Sequence, residues 1–78
     1  MRPEGKDLFR IKENPKGVRF GELQKVILGA GFRLVNVRGS HHVYKKGSRI
    51  LTVVKPHGGH KHCHWIDVKD VIKILGED

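Results

Sequence analysis

Two adjacent imidazoles, His41 and His42, follow a Gly39-Ser40 turn and lead into Val43-Tyr44. An imidazole takes and gives protons near neutral pH, its unperturbed pKa being about 6.5. Strand side chains alternate, so if residues 41–46 are extended, one ring faces each side of the sheet. The charge around the pair has a single sign. Between Glu22 and Asp67 every charged residue is a base: Lys25, Arg33, Arg38, Lys45, Lys46, Arg49, Lys55 and Lys61. These eight account for the net +8, because the rest of the chain carries eight bases and eight acids. Solvated surface lysines alone would interleave with acids, whereas a segregated field collects polyanions. Proton transfer beside a held phosphate is the chemistry this combination suits.

Cutting RNA without a metal requires a base for a 2′-hydroxyl proton, positive charge near the phosphate, and a proton for the leaving oxygen. His41 is the candidate base and His42 its alternative; an ordinary hairpin with one exposed and one half-buried histidine is the competing structural reading. Arg38, Lys45, Lys46, Arg49 and Lys55 are candidates to hold RNA phosphates. Lys45 and Lys46 also have a plain explanation, since lysine keeps an edge strand soluble. Ser40 either binds a phosphate or serves the turn. Tyr44 shares strand parity with His42, and either stacks on a base or packs across the strands.

A second group is the run His57-Gly58-Gly59-His60-Lys61-His62-Cys63-His64. Imidazole and thiolate are zinc ligands, but the spacing matches no standard pattern and one loop would have to supply every ligand. No cofactor or metal is therefore expected. His57, just beyond the third predicted strand, is a candidate partner acid for His41. Trp65 is expected to cap the core, with base stacking as the alternative.

The elements that must position these groups follow from pattern. Residues 1–17, punctuated by Pro3, Gly5, Pro15 and Gly17, read as a flexible N-terminal arm, and residues 18–78 as the domain. Phe20, Leu23, Val26 and Ile27 recur at helical spacing, which predicts a helix from about Phe20 to Leu28. Val18 and Leu23 form its hydrophobic staple, and Gly31 its terminator. Phe32–Arg38, His41–Lys46 and Arg49–Lys55 read as strands joined by Gly-Ser turns, hence an antiparallel meander. The apolar third strand is expected at the sheet centre or as its best-covered strand. A loop over Pro56–Trp65 precedes a final helix with Asp67 as N-cap, an Ile66–Val71 staple, and a stripe of Val68, Val71, Ile72 and Leu75. The fold class is α+β in the order α-β-β-β-α, with two helices on one face of a three-stranded sheet.

Size narrows the function. A chain of 78 residues buries only about 60% of its unfolded surface, too little to enclose a large cavity. Chemistry on an open face suits a polymer better than a small metabolite. One cysteine, Cys63, allows no internal disulfide, consistent with a reducing compartment. The first residues lack an apolar signal region, and no run approaches the roughly 20 apolar residues of a membrane span. A cytoplasmic protein without a membrane partner is expected.

Gly39-Ser40-His41-His42-Val43-Tyr44, together with the element order, resembles the HicA (YcfA-like) toxin family. The resemblance begins at Asn14-Pro15-Lys16-Gly17-Val18-Arg19-Phe20 and continues through Gly31-Phe32, Val54-Lys55-Pro56-His57 and the final helix, Val68 to Leu75. It implies a fold like a double-stranded-RNA-binding domain and activity as a ribosome-independent mRNA interferase, held inactive by a HicB antitoxin. The family's essential histidine maps to His41 in the Gly-Ser-His spelling, or to His42 where it follows one place later. The loop from Pro56 to Trp65 departs from the family's usual short Pro-x-His connection followed by a Lys- or Pro-rich entry to the helix. An RNA-binding module of the same fold without catalysis, and a metal-binding regulatory domain, are the competing functions.

Overall fold

The computed structural model describes residues 3–76. Its elements are α1 (Pro3–Glu13), a short 3-10 turn (Pro15–Gly17), α2 (Phe20–Gly29), β1 (Arg33–Arg38), β2 (His41–Lys46), β3 (Arg49–Val54) and α3 (Trp65–Gly76). The strands form one antiparallel sheet in the order β1-β2-β3, as the short turns require. The fold is α+β. Gly39 and Gly47 sit at φ +57 and +61 in the two hairpin turns, a region that costs glycine no Cβ clash.

One face of the sheet is covered. Tyr44, Leu51 and Val53 point into a core shared with Leu23, Val26 and Ile27 of α2 and Val68, Val71 and Leu75 of α3. Both helices thus bury the stripes their spacing predicts. α2 opens with the Arg19 N–H donating to Glu22 Oε1 at 3.4 Å and closes into Gly31 at φ +100. Val18 and Leu23 are buried at its start, as a staple requires.

Several details differ from expectation. The segment read as an arm contains a helix, α1, and Ile11 is 1% exposed in the core. Proline at the first helical position and Arg10 and Lys12 in the last turn favour that helix. Docking of Leu8 and Ile11, three residues apart, supplies what a short amphipathic segment lacks on its own. Arg10 Nη1 also reaches Glu22 Oε2 at 3.0 Å. Residues 1–2 and 77–78, the ends of the two expected units, lie outside the described residues.

The central strand is β2, while β3 lies at an edge. β3 still contributes two buried side chains, Leu51 and Val53, against one from β2 and none from β1. Leu51 and Val53 are apolar because they meet the core, not because the strand is central, while Ile50 and Val54 lie exposed on the open face. A bulge at Val35 breaks the β1–β2 register between Leu34 and Asn36. The last helix begins at Trp65, two residues before the expected cap. His64 takes that role, its Nδ1 accepting the Ile66 N–H at 3.2 Å. Asp67, freed from capping, accepts the Val54 N–H at 3.2 Å and so satisfies a donor on the sheet edge. With Ile66 inside the helix, the expected staple with Val71 no longer applies.

Candidate nucleic-acid interface

Strand parity divides the signature as alternation demands. His41, Val43 and Lys45 face the open side of the sheet, while His42, Tyr44 and Lys46 face the helices. His41 is exposed, and its direct neighbours across the ladders are Arg38 on β1 and Val54 on β3. Arg33 stands opposite Lys45 on the same open face. The strand positions on that face hold Arg33, Arg38, Lys45 and His41, and no acid. An imidazole among cations, open to solvent, can meet a polyanion without displacing any packed group.

His42 occupies a different environment. Its ring is half-buried, edge-on to Phe20 with centroids 4.8 Å apart. Nδ1 lies 3.2 Å from the Ser40 carbonyl oxygen. An Nδ1–H there donates to the carbonyl and leaves Nε2 as the basic nitrogen of the neutral ring. The same carbonyl accepts the Lys55 N–H at 2.7 Å, which fixes the turn against the end of β3. Lys55 Nζ stands 5.7 Å from the Phe20 ring centroid. Ser40, Lys55 and His57 line one shallow groove with Gly39 and Pro56. The structure thus brings Arg38, Ser40, His41, His42, Lys55 and His57 to one end of the sheet. Phe20 is the participant that sequence reasoning missed, because nothing local ties it to a ring 22 positions along the chain.

Three candidates are placed otherwise. Tyr44 is 0% exposed, so it packs in the core and offers no face to a base. Burial raises the pKa of its phenol, with a further push from Cys63. Its hydroxyl is buried and has no hydrogen-bond partner among the described residues. Such a group costs about 1–3 kcal/mol in desolvation. Tyr44→Phe is therefore expected to leave stability unchanged or raise it by about 1 kcal/mol; a clear fall in the denaturation midpoint would show that the hydroxyl has a partner.

Lys46 and Arg49 sit at the other end of the hairpin from His41. Five residues of strand put Lys46 about 16 Å away. Lys46 Nζ donates to the Ala30 carbonyl at 2.7 Å, and Arg49 Nη1 to the Ile74 carbonyl at 3.2 Å. Each side chain thus places a cation at a helix C-terminus, where free carbonyls and the macrodipole favour it. Lys45, on the open face, is exposed.

The histidine-rich loop does not gather into a metal centre. Among the described residues no group of three or more His, Cys, Asp or Glu is placed to hold an ion. Cys63 turns inward at 3% exposure, and its N–H donates to the Val18 carbonyl at 2.8 Å. Burial, followed by the nearby Asp67 charge, pushes its thiol up to about 11, away from the thiolate that zinc needs. Trp65, expected to cap the core, is 41% exposed and lies outside it.

A small α+β domain with an exposed histidine on a basic sheet face is the class these features define. The family described as HicA toxin of bacterial toxin-antitoxin matches over residues 20–76. The chain belongs to that family, and so to the toxins of toxin–antitoxin systems, which implies an antitoxin partner. No match is found among curated proteins or among solved structures. No helix among the described residues is long and apolar enough to cross a membrane.

Proposed function

We propose that this toxin is a ribosome-independent mRNA interferase, an endoribonuclease that uses His41 as its base and needs no metal. The observation that carries the reading is the exposed His41 imidazole on an acid-free sheet face, paired directly with Arg38. His41 takes the proton of a ribose 2′-hydroxyl, and the 2′-oxygen attacks the adjacent phosphorus. The bond from phosphorus to the 5′-oxygen breaks, leaving a 2′,3′-cyclic phosphate. The departing oxygen takes a proton from His57, which lines the groove beside Ser40 and Lys55. Arg38, opposite His41 on the open face, holds the phosphate, while Lys55 and the Ser40 hydroxyl meet the strand where it passes round the end of the sheet. Lys45 meets the strand about 13 Å further along β2. A HicB-type antitoxin would silence the protein by covering this face, and its natural setting is the cytoplasm.

A second assignment of the base has its own support. The Ser40 carbonyl lies 3.2 Å from His42 Nδ1 and can accept an Nδ1–H, an arrangement that suits a base acting through Nε2. Substituting His41 and His42 separately and measuring RNA cleavage and growth arrest distinguishes the two. Loss with His41 alone supports the proposal, and loss with His42 alone moves the base to the helix side. If neither change slows cleavage or relieves arrest, the chain is a non-catalytic RNA-binding module. Binding would then persist with a steep salt dependence.

A further inference from the structure

A concave surface lies between the end of β3 and the start of α3, beside the proposed catalytic end. Lys16, Lys55, Lys61, His57, His64 and Trp65 are among the residues that line it, and no acid is. Trp65 and His64 present near-parallel rings, centroids 6.0 Å apart and planes 24° apart. Lys69, one turn along α3, holds its ammonium 5.4 Å from the Trp65 ring centroid. Trp65 is 41% exposed and outside the core, and the helix is anchored there by Val68, Val71 and Leu75. A flat aromatic surface set among cations matches the two parts of a nucleotide, base on ring and phosphate on ammonium.

We infer that this groove binds one unpaired nucleotide of the RNA next to the cleaved phosphate, its base stacked on Trp65 and its phosphate held by Lys61 and Lys16. The inference rests on the ribonuclease reading and deepens it, because it makes the substrate single-stranded at that position. A base inside a duplex keeps its faces stacked on its neighbours and cannot lie on the indole. Lys55 lines both this groove and the smaller one that holds Ser40, so the two are continuous along the chain's path. The Lys69 ammonium is displaced by an incoming base at small cost, an exposed cation–π contact being weak.

Trp65 is the only tryptophan in the chain, so its emission reports on the groove alone. The full-length protein is titrated with a single-stranded 2′-O-methyl oligonucleotide, whose blocked 2′-oxygen prevents cleavage, and with the duplex of the same sequence. Saturable quenching by the single strand and little by the duplex is expected. Trp65→Leu should raise KM for single-stranded RNA roughly tenfold with kcat held, and Trp65→Phe should restore most of it. Cleavage of RNA without quenching, equal quenching by the duplex, or an unchanged KM in Trp65→Leu would overturn the inference while leaving the ribonuclease reading intact. Quenching by a polyglutamate peptide but not by RNA would assign the groove to an acidic protein segment and overturn it too. A chain that neither cuts nor binds RNA would remove the reading on which the inference stands.

Discussion

Replacing His41 with alanine is expected to lower the rate of RNA cleavage by about 10²- to 10⁴-fold and to abolish growth arrest. The magnitude is that of a positioned general base; it greatly exceeds what loss of one phosphate contact on an exposed face would give. Stability should hardly change, because the His41 side chain is exposed and lies opposite the packed face. Exposed substitutions of this kind usually fall within about 0.5 kcal/mol. His41→Ala therefore separates catalysis from folding in one protein. His42→Ala should not. That ring packs edge-on against Phe20 and reaches the Ser40 carbonyl, so its removal loosens the turn and lowers the melting point. Activity of the His42 variant should be compared at a temperature where it remains folded. If His41→Ala cuts RNA at the wild-type rate, the open face is not where the chemistry occurs.

The largest expected effect on stability comes from Ile11→Ala. Ile11 is 1% exposed and sits in the core beside residues of α2 and α3. Truncating such a side chain costs about 2–5 kcal/mol, through lost transfer energy and the cavity left behind. A chain of 78 residues has a thin core, and small domains lie near the lower end of the usual range of about 5–15 kcal/mol. A large part of the total stability is thus at stake in one side chain near the N-terminus. Phe9, on the same helix, is 66% exposed and provides the control. Urea denaturation should show a lower midpoint for Ile11→Ala and an unchanged one for Phe9→Ala, with similar slopes. Equal midpoints in all three proteins would mean that α1 adds nothing to the fold.

The contrast between α1 and the rest of the chain shows where sequence reading succeeds. β2 is bounded by Gly39-Ser40 and Gly47-Ser48, and both turns act locally, so its limits His41–Lys46 were legible. The α2 and α3 stripes were legible because their period matches the helix. Among the described side chains, α1 carries Leu8 and Ile11 toward the core, too few for a pattern, and its proline and glycine suggested an arm. Tyr44 could not be placed by parity alone. It shares a face with His42, yet the helices cover one ring entirely and the other only in part. Lys46 and Arg49 looked like phosphate ligands because their charge is visible in sequence. The carbonyls of Ala30 and Ile74 that receive them are set by tertiary placement. Trp65 was misplaced for a related reason: α3 starts three residues early, at Trp65, and the indole lines the groove.

The most direct test is the chemistry of the RNA ends produced in the presence of a strong chelator. An imidazole that activates a ribose hydroxyl leaves a 2′,3′-cyclic phosphate on one fragment and a 5′-hydroxyl on the other, and a single 2′-deoxy substitution at the cut position prevents the reaction. Fragments bearing 5′-phosphates, or cleavage that continues through the deoxy position, would contradict the account.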